Sequence, residues 1–261
     1  SAASDVYKRQ DLQWLGLTWD KGPYYQSRRT ELYQDALLKL KQQELLYPCF
    51  CSRADLHAAQ APHASDGAYV YAGTCRDLSK SEREELSKHK IPATRIRVPN
   101  KTYAFEDKVY GQTSQNLSKL CGDFIVQRAD EVFAYQLAVV VDDADMGVTE
   151  VVRGSDLLSS TPRQLYLQDV LGFSHPIYAH LPLLVAPDGR RLSKRNHDLD
   201  LGVLRDQGKT PEEILGFLAY CIGLAEKEEP LSAAQVANRF SWDVLRAHRK
   251  NVVVEHFSHV L

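Results

Sequence analysis

Apolar residues recur along this chain first at helical spacing and then in short strand-like runs. After Ser27, which reads as a helix N-cap, Leu32, Tyr33, Ala36, Leu37 and Leu40 share one helical face. That helix is expected to end near Tyr47-Pro48. The mixed charges of residues 81–90 read as a solvated helix, and Thr94-Arg95-Ile96-Arg97-Val98 alternates as a strand before a turn at Pro99-Asn100. Residues 123–128 predict another strand, followed by a turn at Ala129-Asp130-Glu131. The run 137–141 is apolar at every position, so a buried helix and a buried strand fit it equally. Residues 148–154 read as a strand closed by Gly154. Thr161-Pro162-Arg163-Gln164 has the form of a helix start: a Thr cap, Pro at the first helical position, and Gln placed for a capping box. Gly172 closes that helix, and residues 180–186 form a further strand. Strands and helices thus alternate from 123 to 186, as in a parallel α/β sheet. Beyond Asp198 the pattern is helical, with starts at Thr210-Pro211-Glu212-Glu213 and at Ser232. There is no internal repeat and no low-complexity linker.

Bulk composition narrows this little. The 261 residues, 44% hydrophobic and 25% charged, are ordinary for a globular chain with a substantial core. No apolar run is long enough to span a bilayer, and no charged-then-apolar leader precedes the first element. A net charge of −2 argues against indiscriminate nucleic-acid binding but leaves room for a local basic face. Five cysteines do not read as a disulfide framework in a chain of this length, so the cytoplasm is the expected compartment. Residues 1–10 lack an initiator Met and a clear period, and Asp11 to Trp19 begins as if in the middle of a helix. The first ten residues are therefore expected to be a cloning or assembly scar on a truncated chain.

Three constellations carry candidate chemistry. Gly189-Arg190-Arg191-Leu192-Ser193-Lys194-Arg195-Asn196-His197 follows a turn at Pro187-Asp188-Gly189. It has the layout of a loop that clamps a nucleotide's phosphates, where the lysine would offset charge as pyrophosphate leaves; the alternative is a solvated basic hairpin. Cys49-Phe50-Cys51 and Cys75 could offer three thiolates to one Zn²⁺. The fourth ligand is open among His57, His63, Tyr69 and Tyr71, and spacing alone favours a histidine; the alternative is buried free thiols. Tyr135 and Arg153 stand at the ends of two neighbouring elements, where a phenol and a guanidinium fork suit a carboxylate. Otherwise they are a core tyrosine and a surface arginine. The adjacent acids Asp142-Asp143 diverge in direction and are expected to cap or form ion pairs rather than share a metal. Cys121 and Cys221 read as core.

Taken in order, Asp123-Phe124-Ile125-Val126-Gln127-Arg128-Ala129-Asp130, Phe133 to Asp143, Gly147 to Gly154 and Leu192-Ser193-Lys194 resemble the glutamyl branch of the class I aminoacyl-tRNA synthetases. Together these stretches cover most of residues 11–200. Within that branch the chain resembles the short glutamyl-queuosine tRNA(Asp) synthetases, which lack an anticodon-binding domain. The Cys-x-Cys…Tyr-x-x-x-Cys arrangement, the basic loop ending Asn196-His197, and the short helical tail carry that likeness.

The resemblance implies an α/β fold: a Rossmann-like parallel sheet whose first βα unit is missing, a zinc-bearing insert and a C-terminal helical subdomain. The expected divisions are 11–48 for the remnant of the first Rossmann half, 49–122 for the insert, 123–200 for the second half with its KMSKS-like loop, and 201–261 for the helices. It implies Cys49, Cys51, Tyr71 and Cys75 as ligands of one structural Zn²⁺, and Tyr135 and Arg153 as glutamate contacts. The ATP loop would be Arg191, Leu192, Ser193, Lys194 and Arg195, with Lys194 catalytic. The implied activity is ATP-dependent activation of L-glutamate, with Mg²⁺, and glutamyl transfer to the queuosine base of tRNA(Asp) by a monomer that contacts no membrane. The family's first ATP-holding loop motif is absent from these residues, so the chain by itself is expected to be inactive. Arg191 stands where the family usually has Lys. Glu131 stands where a turn glycine is expected, which strains the turn if φ is positive. Competing expectations are an ordinary glutamyl-tRNA synthetase, truncated, that charges tRNA(Glu), and a non-catalytic zinc-stabilised RNA-binding remnant.

Overall fold

The structure, a computed structural model, describes residues 2–52, 55, 70–190, 192 and 201–254, with the backbone alone for residues 2–5. Helix α1 (Ala2–Trp14) runs unbroken through the segment expected to be a scar, and α2 (Thr30–Gln42) follows. Helix α2 buries Tyr33, Ala36 and Leu40, with Leu32 and Leu37 partly buried beside them, as the spacing predicts. Its start differs: Ser27 lies in a 3-10 turn and Arg29 occupies the N-cap position. Its end differs too. Tyr47 and Pro48 belong to strand β1 (Leu46–Cys49), whose one sheet partner is β2 (Ala93–Ile96). An edge strand tolerates a proline because the missing N–H can face away from the ladder.

Strands β1, β2 and β5 (Phe124–Gln127) form an antiparallel sheet in the order β1-β2-β5. Residues 123–128 therefore make a strand as expected, but it does not join the parallel sheet. A second sheet has the order β4-β3-β7-β6, from β3 (Thr102–Asp107), β4 (Gly111–Asn116), β6 (Glu150–Gly154) and β7 (Ile177–Leu181). Strands β6 and β7 pair in parallel over their length, β3 joins β7 in parallel at Asp107, and β3 and β4 are an antiparallel hairpin. The hairpin is absent from the sequence reading: β4 is polar and half-exposed, and β3 buries only Tyr103 and Asp107.

After the short helices α3 (Lys80–Ser87) and α4 (Leu117–Leu120), the ambiguous run at 137–141 is helical, in α5 (Tyr135–Asp145), and buries Leu137, Ala138, Val140 and Val141. Helix α6 (Thr161–Leu171) buries its first eight residues and Leu171, and ends at Gly172 in the left-handed conformation, as expected. Between the sheets and helices α2, α5 and α6, Leu40, Ile96, Leu117, Val126, Leu137 and Leu167 are fully buried. Each such aliphatic side chain contributes about 1.5–3 kcal/mol. The turn at Glu131 does carry positive φ, +63°, for a non-glycine residue. Left-handed backbone costs an L-residue about 1–2 kcal/mol, so the expected strain is present.

The C-terminal helices gather around a separate cluster of Leu15, Leu204, Ile214, Leu215, Phe217 and Val254. Helix α7 (Leu201–Asp206) precedes α8 (Pro211–Cys221) and α9 (Ala233–Arg239), whose starts carry the capping boxes Thr210/Glu213 and Ser232/Gln235. Cys121 is buried as expected, and Cys221 packs at the edge of this second cluster.

Asp142 joins α2 to α5. Its carboxylate accepts from Arg29 Nε at 2.7 Å, Gln26 Nε2 at 2.9 Å and Tyr33 Oη at 2.8 Å. Burial, and then the carboxylate beside it, push the Tyr33 phenol up to about 12. The ion-pair role expected for this acid therefore holds. Asp142→Ala is expected to cost about 2–4 kcal/mol, since it strands three donors at a half-buried seam. Asp142→Asn should cost less, because an amide oxygen still accepts from Tyr33. Guanidinium unfolding followed by far-UV circular dichroism measures both.

Candidate active site and metal centre

The C-terminal ends of the parallel strands carry the first site. Arg153 is the fourth residue of β6, and its guanidinium is met on three sides. Nε donates to His180 Nε2 at 3.0 Å, Nη1 to Gln164 Oε1 at 2.8 Å, and Nη2 to Thr161 Oγ1 at 2.9 Å. Its carbon lies 5.3 Å from the centre of the Tyr178 ring. Thr161 and Gln164 therefore do not form the predicted capping box: α6 has no side-chain cap, and both side chains face Arg153 instead. Burial of the helix's first two turns explains this, because their polar groups need partners in the interior and the guanidinium supplies them.

Tyr135, the first residue of α5, is 48% exposed and opens toward solvent beside this network. Its neighbour Gln136 accepts from Gln164 Nε2 at 2.9 Å and donates to Ser160 Oγ at 3.0 Å. One amide relay thus runs from the start of α5 to Arg153. Burial raises the Asp143 carboxyl above its usual range, and the charge of Arg153 opposes the shift in part. The half-buried guanidinium, the open phenol and the hydrogen-bonded amides make a site suited to a small anion with polar groups.

Beneath Arg153 lies a fully buried pair that sequence reasoning missed. His180 Nδ1 stands 2.6 Å from Asp107 Oδ2, and Asp107 Oδ1 accepts from the backbone N–H groups of Val109 and Tyr110, each at 3.0 Å. Burial would raise the Asp107 carboxyl, but His180 and these N–H groups outweigh it and hold it below its ordinary 3.8. A lone histidine in an apolar strand and an acid in an unrecognised hairpin gave no joint signal.

The turn before the basic loop has the expected form, with Gly189 N–H donating to Ala186 O and Arg190 N–H to Asp188 Oδ1. Leu192 is half-buried, whereas Arg191, Ser193, Lys194 and Arg195 lie outside the described residues.

The cysteines converge. Among the described residues, Cys49, Cys51 and Cys75 place their sulfurs within 4.8 Å of one another. Cys51 and Cys75 are 3.5 Å apart, and the Tyr71 oxygen lies 3.7 Å from Cys49 and 3.9 Å from Cys51. A tetrahedral ion at about 2.3 Å from sulfur and about 2.0 Å from oxygen would set these separations at about 3.8 and 3.5 Å. The four atoms therefore fit one metal with small adjustments. His57, His63 and Tyr69, the other candidates for the fourth ligand, lie outside the described residues.

Charge around the cluster is arranged for this. Burial opposes ionisation of Cys49, yet Arg95, donating Nε–H to its sulfur at 3.1 Å, holds the thiol below its usual range. Burial and the neighbouring Cys75 push Cys51 up to about 12, and burial drives the Tyr71 phenol higher still. One ligand is thus readied for a cation, and the others would ionise when a cation arrives. The N–H of Phe50 points at Cys75 Sγ, and the N–H of Cys75 donates to Tyr71 Oη at 2.8 Å. Gly122 is required behind Tyr71: its φ is +61°, and a Cβ there would lie 2.4 Å from the Tyr71 carbonyl oxygen.

The parallel crossover from β6 through α6 to β7, with Arg153 at the end of its first strand, belongs to an α/β enzyme of the class I synthetase type. The family described as "tRNA synthetases class I (E and Q), catalytic domain" matches residues 5–258, and the chain belongs to it. Its relatives include the Glutamyl-Q tRNA(Asp) synthetase of Symbiobacterium thermophilum, 47% identical over 93% of this chain and 77% of that protein. The Nitratidesulfovibrio vulgaris protein of the same name is 46% identical over 82% of this chain and 69% of its own length. Among solved structures, a glutamate tRNA ligase from Elizabethkingia meningosepticum in complex with its amino acid superposes with a TM-score of 0.76 at 24% identity. The glutamate-tRNA synthetase of Elizabethkingia anophelis superposes at 0.77. These two show the same fold, and this chain spans 57% and 58% of their lengths. The expected α/β class I fold is confirmed. Among the described residues no helix is long and apolar enough to cross a membrane.

Because the folded Asp107 carboxyl titrates below 3.8, the fold holds its ionised form. Its contribution to stability is complete above that value and is lost as the pH falls through the lower, folded value. Asp107→Asn is therefore expected to cost about 1.5–3 kcal/mol near neutral pH. The gap to the unsubstituted protein should close as the pH is lowered below 3.8, read from urea unfolding across an acid series.

Proposed function

We propose that the protein activates L-glutamate with ATP and transfers the glutamyl group to the queuosine base at the wobble position of tRNA(Asp). The observation that carries this reading is the convergence of Cys49, Cys51, Tyr71 and Cys75 on one metal-sized site. This occurs in a chain that also shares 47% identity with a Glutamyl-Q tRNA(Asp) synthetase. In the first step a glutamate α-carboxylate oxygen bonds to the α-phosphorus of ATP and pyrophosphate leaves. In the second a hydroxyl of the queuosine base bonds to the glutamyl carbon and AMP leaves.

Arg153 and Tyr135 bind and orient the amino acid. Since Nε, one Nη1 hydrogen and both Nη2 hydrogens, the second facing the Leu157 carbonyl at 3.4 Å, already have protein partners, Arg153 offers mainly its charge and the remaining Nη1 hydrogen. A rigid cation gains rate by positioning rather than by reaching. Lys194 in the loop 191–195 stabilises phosphate charge as pyrophosphate departs, with Mg²⁺ accompanying ATP. Zn²⁺ on the four insert ligands would supply structure: it would tie the end of β1 to the 71–75 turn. The protein works as a cytoplasmic monomer.

Radiolabelled glutamate, ATP and tRNA(Asp) with or without queuosine test the reaction. Label is expected on the queuosine-containing tRNA alone. Label at the 3′ end of tRNA(Glu) would sink the proposal and favour an ordinary glutamyl-tRNA synthetase.

For the metal, elemental analysis of protein purified without chelator is expected to find about one zinc per chain. Cys49→Ser should lose it, and native-like protein without zinc would remove the site.

A further inference from the structure

The pair beneath Arg153 has a definite protonation pattern, and that pattern has a use. A guanidinium Nε–H can only donate. Arg153 Nε lies 3.0 Å from His180 Nε2, so this ring nitrogen must present its lone pair. The ring proton therefore sits on Nδ1, where it faces Asp107 Oδ2 at 2.6 Å. The opposite tautomer would set two N–H groups against each other at Arg153 and leave a buried carboxylate facing a bare nitrogen. Thr161 agrees with this assignment. Its oxygen accepts from Arg153 Nη2, and its own hydroxyl proton is free to turn to His180 Nε2, 3.4 Å away.

Asp107 is itself immobile. It closes the tight turn between β3 and β4 through Val109 and Tyr110, and it accepts from the His180 backbone N–H at 3.3 Å. Both Asp107 and His180 are buried, so neither has water as an alternative partner. A chain of fixed groups thus runs from the β3–β4 turn through an imidazole to the guanidinium edge opposite Gln164.

We propose that His180 is a positioning residue. In its neutral Nδ1–H form, set by Asp107, it fixes the plane and reach of the Arg153 guanidinium. Given the proposed glutamate site, it thereby sets how Arg153 meets the substrate. The inference rests on that reading only for the identity of the ligand.

Two substitutions separate its halves. His180→Gln can place an amide oxygen near the former Nε2 and restore an acceptor for Arg153. His180→Asn can keep a donor for Asp107 but offers Arg153 nothing. Two-bond ¹H–¹⁵N spectra of the unsubstituted chain, labelled at histidine, report the tautomer directly, with His180→Gln assigning the signal. The Arg153 Nε–H signal, assigned by Arg153→Lys, reports immobilisation through its exchange with solvent. Calorimetric titration with L-glutamate reports the site.

The Nδ1–H tautomer is expected for His180. Exchange of the Arg153 Nε–H should speed by about tenfold or more in His180→Asn and stay near the original rate in His180→Gln. Glutamate affinity should fall in the same order. An Nε2–H or cationic His180, or an Arg153 Nε–H unchanged in His180→Asn, would overturn the proposal; the first needs no variant to fold. If the tautomer and Arg153 behave as expected but L-glutamate binds none of the proteins, the positioning role stands and the substrate reading falls.

Discussion

A half-buried guanidinium needs a partner along every edge that water cannot reach, and the part of this fold built on β6 and β7 is organised around that constraint at Arg153. Four elements contribute: β6 carries the residue, β7 supplies His180, α6 supplies Thr161 and Gln164, and α5 reaches it through Gln136. Each partner is polar and largely buried, so none could sit there without the others. Hydrophobic burial holds the layers together, but it is non-directional and would tolerate small slips between them. The hydrogen bonds of Arg153 do not tolerate such slips. They set the register of α6 on the parallel strands, and the same arrangement leaves Tyr135 open at the mouth of the site.

This explains where sequence reading succeeded and where it failed. The amphipathic face of α2, the closing Gly172, the caps at Thr210 and Ser232 and the strained Glu131 turn are local features, decided by a few neighbouring residues. All were legible. Thr161-Pro162-Arg163-Gln164 carries an equally clear local signal, yet its side chains serve a cation at the end of a different strand. A tertiary demand overrode the capping preference, and it did so at the candidate site. Strand β5 reads as a strand, but its partner β2, itself paired with β1, lies well back in the chain, and no short-range pattern encodes that choice. His180 and Asp107 were invisible for the same reason: 73 residues separate them, and they meet only because β3 joins β7.

The cysteine cluster shows the opposite case: spacing alone brings Cys49, Cys51 and Cys75 together as candidates, but it points to a histidine rather than to Tyr71, whose oxygen lies beside them. Tyr71 is brought to the sulfurs by a backbone contact, its N–H donating to the Cys121 carbonyl at 3.1 Å, and by the absence of a side chain at Gly122. Arg95 stacks over its ring at 3.8 Å while donating to Cys49. A phenol so enclosed is a poor acid in the absence of a cation. Its oxygen is held by the Cys75 N–H at 2.8 Å, in a place from which it could join the thiols around one cation.

Asp123 then ties the cluster to the rest of the fold. Its carboxylate accepts from Tyr47 Oη and from the Val98 N–H, each at 2.7 Å, and its carbonyl accepts from Arg95 Nη1 at 2.7 Å. Arg95 thus touches Cys49 and Tyr71 with one part of its side chain and the start of β5 with another. Displacing the cluster would disturb Arg95, and through it the position of β5 beneath the turn that leads to Tyr135. The insert is consequently not an appendage that metal stabilises in isolation. Order at the Cys49–Tyr71–Cys75 cluster and order at the entrance to the candidate site at Arg153 draw on the same strand, so loss of either should loosen the other before the hydrophobic core gives way.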